Sequence, residues 1–207
     1  MDIQKDWQVC NSETFWCEVG SSSHVVQLYE SDDALLSLLE DFVEGGVLAE
    51  DCVMIIATKE HLQALEQRLT SHGLDIESLR TTDQYIALDA DETLSKFMLD
   101  GLPDRERFLR VVGGLFDRVR ATGRKVRAFG EMVAILWEQG NASATIILEK
   151  YWNELFETDS FPLFCAYPKS KFPKGAAKDI SLICQAHSKV IINVEDSRFD
   201  LSYRDVS

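Results

Sequence analysis

No stretch of this sequence approaches the roughly 18 consecutive apolar residues that a membrane-spanning helix needs. The N-terminus, with Asp2 and Asp6, also lacks the basic-then-apolar pattern of a secretory signal. These absences lead us to expect a cytoplasmic chain that does not enter a membrane. Cys10, Cys17, Cys52, Cys165 and Cys184 are odd in number, scattered, and contain no C-x-x-C pair. A disulfide framework is therefore a poor reading, and the thiols are expected to be reduced. Cys10, Cys17 and His24 are spaced seven apart, but structural zinc generally uses four ligands with closer cysteine pairs, so no metal site is expected. Positive charge is scarce as well. With 21 Lys and Arg against 35 Asp and Glu, the formal net charge is −14, which repels a phosphate backbone and argues against direct nucleic-acid binding. The densest basic stretch, Arg118, Arg120, Arg124, Lys125 and Arg127, reads as a solvated helix end whose cations complement the dipole.

What is present suits one folded domain. At 207 residues, 45% hydrophobic and 27% charged, the chain can bury a sizeable core without cross-links. Residues 1–22 read as an arm, with Trp7, Phe15 and Trp16 among polar neighbours, ending in a Gly20-Ser21-Ser22-Ser23 hinge. Residues 23–192 read as the domain proper and 193–207 as a tail. Five β-rich runs are predicted strands: HVVQLY from His24, CVMIIAT from Cys52, YIALD from Tyr85, KVRAFG from Lys125 and FPLFCAY from Phe161. Helical patterns lie between them. Ser31 caps the first, which is predicted to stop at Gly45-Gly46; Asp104 opens one to about Thr122; Asn141 opens another whose apolar side is Ile146, Ile147, Tyr151, Trp152, Leu155 and Phe156. Alternation of strands with helices implies right-handed crossovers and a three-layer α/β/α fold around a mainly parallel sheet of about five or more strands.

In such a sheet, ligands bind beyond the carboxyl ends of the strands. That position nominates Tyr29, Glu30 and Ser31, then Thr58, Asp89, Glu131 and Tyr167. A phosphate-binding loop needs G-x-x-x-x-G-K-[S/T], so that backbone amides and a lysine cradle the anion. The first turn instead reads Tyr29-Glu30-Ser31-Asp32-Asp33, with no glycine, no lysine and three carboxylates. Neither G-x-G-x-x-G, G-x-S-x-G nor H-E-x-x-H occurs. Glu131 follows a strand and opens a helix, where a carboxylate could serve as a base, receive a ligand's donors or simply complement the helix N-terminus. His61 and His72 read as solvated side chains of a surface helix. His24 lies five residues before Tyr29, an odd separation that points the two to opposite faces of a regular strand. A pairing of His24 with His187 is a further possibility.

Four motifs in order carry a resemblance: His24-Val-Val-Gln-Leu-Tyr29; Gly130-Glu131-Met132 through Trp137-Glu138-Gln139-Gly140-Asn141; Cys165-Ala-Tyr167-Pro168; and Cys184-Gln-Ala-His187-Ser188. Together they resemble the MEDS domain, the methanogen and methylotroph sensory domain of the DcmR type. The resemblance implies a fold similar to RecA and the circadian-clock ATPases with the phosphate loop lost. It also implies a sensory rather than enzymatic role, without a cofactor, directed at small and often hydrocarbon-derived molecules. The motif residues carried over are His24, Tyr29, Glu131, Tyr167 and His187. Expected partners are a small organic ligand and a signalling protein such as a histidine kinase or transcription regulator, with a homodimer as a further option. No room for an output domain follows Val190, so the signal passes to a separate protein or the chain is a piece of a larger regulator. Two other readings stand beside this one: a degenerate ATPase or hydrolase using Glu131 as base, and an interaction scaffold.

Overall fold

The computed structural model describes residues 7–19, 22–173, 175–193 and 200–206. Among the described residues the central sheet has eight strands: β1 (Gln8–Asn11), β2 (His24–Tyr29), β3 (Cys52–Ala57), β4 (Tyr85–Asp89), β7 (Val126–Gly130), β8 (Leu163–Pro168), β9 (Lys189–Asn193) and β10 (Asp200–Asp205). Their order is β1-β10-β9-β2-β8-β7-β3-β4. The six from β9 to β4 are parallel, and β10 and β1 add an antiparallel edge. A separate two-stranded hairpin joins β5 (Met98–Leu99) to β6 (Leu102–Pro103). The central strands have no polar alternation because both faces are covered: every residue of β3, CVMIIA, is buried.

The helices are α1 (Ser12–Thr14), α2 (Asp32–Leu48), α3 (Lys59–Ser71), α4 (Ile76–Thr81), α5 (Ala90–Phe97), α6 (Arg105–Phe108), α7 (Gly114–Arg120), α8 (Met132–Glu138), α9 (Ala142–Asp159) and α10 (Ala177–Gln185). One face of the sheet, through Val25, Val53, Ile55, Phe129 and Phe164, packs against α2, α3 and α4. The other, through Val26, Met54, Ile56, Ala128 and Cys165, packs against α5 to α10. Ser31, Thr58, Asp75, Asp89, Asp104 and Asn141 each accept a backbone N–H at a helix start, satisfying donors that the helix itself leaves unpaired. The result is a three-layer α/β/α fold.

Several expectations are corrected. The segment read as an arm is packed onto the sheet: β1 pairs with β10, and Phe15 and Trp16 are fully buried, with Trp16 against Phe42 and Phe164 at ring separations of 4.7 and 5.0 Å. Docking these two large aromatics removes much apolar surface from water, which is what holds the segment against the sheet. Gly20 and Ser21 of the expected hinge lie outside the described residues. The tail likewise enters the sheet, since β10 pairs with both β9 and β1; residues 194–199 lie outside the described residues. The helix expected from Asp104 does run unbroken to Arg120, with a π-helical widening at Leu109–Gly113 between α6 and α7. Arg127, read as solvated, is 3% exposed, lies 3.3 Å from Asp51 and sits over the Phe42 ring. Strand alternation turned it inward, where Asp51 supplies the opposite charge that a buried cation requires.

Helix α2 continues through Gly45 and Gly46 rather than stopping there. A Cβ on Gly46 would lie 2.4 Å from Val53 Cγ2 and 3.0 Å from Arg127 Cδ. The glycine therefore permits close approach of helix to sheet rather than ending the helix. Gly46→Ala is expected to destabilise by about 1–3 kcal/mol through overpacking, outweighing alanine's helix preference of about 1 kcal/mol. Gly114→Ala, where nothing lies within 4 Å of the added carbon, is expected to stabilise. Urea denaturation of the two variants checks this, and a Gly46→Ala protein as stable as wild type contradicts the packing account.

Candidate functional site

At the carboxyl ends of the parallel strands, the turn after β2 is held locally. Ser31 Oγ accepts from Ala34 N–H at 3.3 Å, and Glu30 is exposed with its carboxylate 2.6 Å from Lys169 Nζ. The neighbouring position is built around Glu131. Its N–H donates to Ile56 O at 2.9 Å, Oε2 accepts from Thr58 N–H at 2.9 Å, and Oε1 lies 2.8 Å from His61 Nδ1. Both carboxylate oxygens are thus engaged, and residues that follow β3 and β7 are stitched together. His61 is corrected here: only 13% of its side chain is exposed. The legible signal was its place three residues after the capping Thr58, in the first turn of α3, where side chains lean back over the helix start. The hydrogen bond to Glu131 is the largest effect holding His61 above the ordinary imidazole value, against burial, which acts the other way. Tyr29 is buried on this side, and desolvation, followed by the charges of Glu131 and Asp32, keeps its hydroxyl protonated.

A second polar assembly lies on the opposite face of the sheet, sealed between β2, β8, α9 and the link from α10 to β9. Here His24, Glu149, Cys165 and His187 present donor atoms that all lie within 4.8 Å of one another. None is more than 3% exposed. His24 Nε2 is 3.4 Å from Cys165 Sγ and 3.6 Å from Glu149 Oε2, which is also 3.6 Å from His187 Nε2. Around them is a supporting ring of bonds. Tyr167 O–H donates to Glu149 Oε1 at 2.6 Å; His24 Nδ1 is 2.8 Å from Asn153 Oδ1; Asn153 Nδ2 donates to Ala186 O at 3.0 Å; and His187 Nδ1 is 2.7 Å from Ile183 O. Ser188 bonds the carbonyl of His24 through both its N–H and its hydroxyl, at 2.8 and 2.9 Å. Burial is the main cause that pulls His24 down to about 3 and His187 to about 4, so both rings are neutral. Burial also raises the Glu149 carboxyl and the Cys165 thiol.

Among the described residues, a cleft of about 890 Å³ opens at the amino ends of β3 and β7, between Glu50, Arg124, Lys125 and Pro162. Two of its basic side chains are already engaged, Arg124 by Glu50 O and Arg127 by Asp51.

The sequence description of MEDS, the MEthanogen/methylotroph, DcmR Sensory domain, matches residues 23–185. The chain belongs to the MEDS family. No curated protein matches it. Among solved structures, a KaiC-like protein from the hyperthermophilic archaeon Pyrococcus horikoshii OT3 superposes with a TM-score of 0.57 at 12% identity, covering 83% of this chain and 72% of that one. A second Pyrococcus horikoshii OT3 protein superposes with a TM-score of 0.52 at 9% identity, covering 91% of this chain and 90% of that one. At such identities the likeness speaks for the fold: a KaiC-like, RecA-type α/β/α arrangement.

Within this MEDS domain the residues nominated from sequence separate into two places. Tyr29, Thr58 and Glu131 gather with His61 at the strand ends, whereas His24, Tyr167 and His187 gather on the other face with Glu149 and Cys165. Tyr167 is paired in register with Leu28, not Tyr29, so the two tyrosines point to opposite faces and do not line one pocket. The His24 and His187 rings are in contact, with centroids 4.0 Å apart. Glu149 went unseen because it lies in the middle of a helix. Its signal was the helical stripe it shares with Thr145 and Trp152, both fully buried, while Ile146, assigned to the apolar side, is 39% exposed.

His61 is expected to titrate above 6.5, and Glu131→Gln to bring it down. Because its folded-state pKa exceeds that of the unfolded chain, the pair's contribution to stability is complete below 6.5 and disappears as pH rises through the folded value. Histidine NMR titration reads the first effect. The difference in Tm between wild type and Glu131→Gln, larger at about pH 6 than at about pH 9, reads the second. An unchanged His61 titration in the variant sinks the pairing.

Proposed function

We propose that this MEDS domain is a non-catalytic sensory module of signal transduction. It takes up a small organic molecule at the strand-end crevice and passes a conformational change to a separate signalling protein. The observation that carries this reading is the state of Glu131. A general base needs a lone pair aimed at the proton it removes; here Thr58 N–H and His61 Nδ1 each occupy a lone pair on one carboxylate oxygen, which directs the group into joining the ends of β3 and β7. The adjoining turn supports it from the anion side. Ser31 is spent on capping α2, and Glu30, Asp32 and Asp33 stand where a nucleotide's phosphates would need donors.

The crevice instead combines an aromatic ring, Tyr29, with a polar pair, Glu131 and His61, which suits a small molecule with an apolar body and one hydrogen-bonding group. A ligand that binds one arrangement of that pair better than another shifts the population toward it. Glu131 opens α8 while His61 and Thr58 open α3, so exchanging their mutual bonds for bonds to a ligand alters how the two helix starts sit relative to each other. The surface built from those helices then presents the signal to its partner, such as a histidine kinase or a transcription regulator in the cytoplasm. No helix of the described residues is long and apolar enough to cross a membrane.

Thermal-shift measurements with a panel of short-chain alcohols, amines and halogenated hydrocarbons, run beside magnesium-ATP, test the reading. At about a hundredfold over Kd a ligand stabilises by about 2.7 kcal/mol, a rise of several degrees. A small organic molecule is expected to produce that rise in wild type and not in Glu131→Gln, with no shift from magnesium-ATP. Stabilisation by magnesium-ATP, with hydrolysis that vanishes in Glu131→Gln, overturns it in favour of a residual ATPase.

A further inference from the structure

We propose that His24, Glu149, Cys165 and His187 form a closed, four-coordinate site for a single divalent metal ion of the zinc class. The site uses none of the crevice residues and stands independently of the sensory reading.

Geometry comes first. Tetrahedral zinc, with bonds of about 2.0–2.3 Å to nitrogen, oxygen and sulfur, puts neighbouring donor atoms about 3.3–3.6 Å apart. The observed separations are 3.4 Å from His24 Nε2 to Cys165 Sγ, 3.6 Å from each Nε2 to Glu149 Oε2, and 3.9 Å from Cys165 Sγ to the same oxygen. The two remaining pairs, from His187 Nε2 to His24 Nε2 and to Cys165 Sγ, lie within 4.8 Å, so side-chain adjustments of up to about an ångström close all four donors on one centre.

The direction of the lone pairs comes second. Ile183 O can only accept, so the His187 Nδ1 facing it at 2.7 Å carries the proton and leaves Nε2 with a bare lone pair. That Nε2 is fully buried and has no hydrogen-bond partner. Asn153 is oriented by its bond from Nδ2 to Ala186 O, which turns its Oδ1 toward His24 Nδ1. Nδ1 of His24 is therefore also the protonated nitrogen, and its Nε2 faces the centre as an acceptor. Two imidazole lone pairs, a carboxylate oxygen and a sulfur thus converge on one buried point. An arrangement of acceptors around a point calls for a cation there. A divalent ion with a carboxylate and a thiolate makes the buried set formally neutral.

The outer bonds are those of a metal site as well. Each imidazole is held through its far nitrogen, and Tyr167 fixes the second carboxylate oxygen at 2.6 Å, which sets tautomer and orientation of the ligands. The mix of nitrogen, oxygen and sulfur donors suits zinc, and excludes calcium and magnesium, which take oxygen ligands. All four donors come from the chain and all are buried, so no position is open to substrate and the role is structural or regulatory. The ion would clamp β2, β8 and α9 to the link that leads into β9 and the antiparallel edge.

The test uses the full chain, analysed for metal as purified, then stripped with a strong chelator and reloaded with zinc or cobalt(II). About one zinc per chain is expected, together with a fall in Tm on stripping that zinc restores. The cobalt form is expected to show the intense visible bands of four-coordinate cobalt and a thiolate-to-cobalt charge-transfer band in the near ultraviolet. Cys165→Ser should lose that band, and Cys184→Ser, whose thiol is buried but outside the donor set, should keep it. Asn153→Ala is expected to weaken zinc binding about 10–100-fold. Failure to retain zinc or cobalt at micromolar concentration overturns the proposal, as does a charge-transfer band that survives Cys165→Ser. If Cys165→Ser does not fold, the wild-type spectrum decides alone, since a cobalt form without the charge-transfer band also overturns it.

Discussion

A carboxylate buried under a parallel sheet is the constraint around which this protein is arranged. Glu149 is 3% exposed in the middle of α9, and an ionisable group in that position costs several kcal/mol unless its surroundings replace the water it has lost. The replacements come from far apart in the chain: Tyr167 and Cys165 from β8, His24 from β2 and His187 from the link after α10. Satisfying one side chain therefore requires β2 beside β8, α9 across both, and the chain returning to β9 at the right height. The Ser188 bonds to the His24 carbonyl hold that return in place.

The strand-end site works by a related economy at lower burial. Glu131 has its two oxygens taken by Thr58 and His61, so the crevice that holds nucleotide phosphates in phosphate-loop proteins is here cross-linked by an acid and an imidazole. The two polar centres lie on opposite faces of one sheet and draw on different strands of it: β3 and β7 lead into the first, while β2 and β8 carry the second. β7 and β8 are hydrogen-bonded neighbours. A sensory domain organised in this way has one polar site at the strand ends and one sealed polar core, joined by the hydrogen-bonded strands between them.

Much of the architecture was legible because it rests on local physics. Apolar runs such as CVMIIA can only be strands buried on both sides, and capping residues such as Ser31, Asp104 and Asn141 mark helix starts wherever they are placed. Glycine was the less reliable signal. Gly46 has the same local appearance as a helix stop, and its real function, making room for Val53 and Arg127, depends on what lies across the interface. Phe15 and Trp16 likewise gave no local sign of the cavity between Phe42 and Phe164 that receives them.

The family membership, the layered fold, the missing phosphate loop and the opposite orientations of His24 and Tyr29 all follow from residue order, because strand periodicity and turn composition act over a few neighbours. Glu149 and His61 as site residues, the meeting of His24 with His187, and the separation of Tyr29 from Tyr167 were decided only in three dimensions. Each of these depends on sheet order and register, which bring together side chains up to 163 positions apart, such as His24 and His187. Neither order nor register is encoded in any short window of the chain, since both emerge from how whole strands and helices pack.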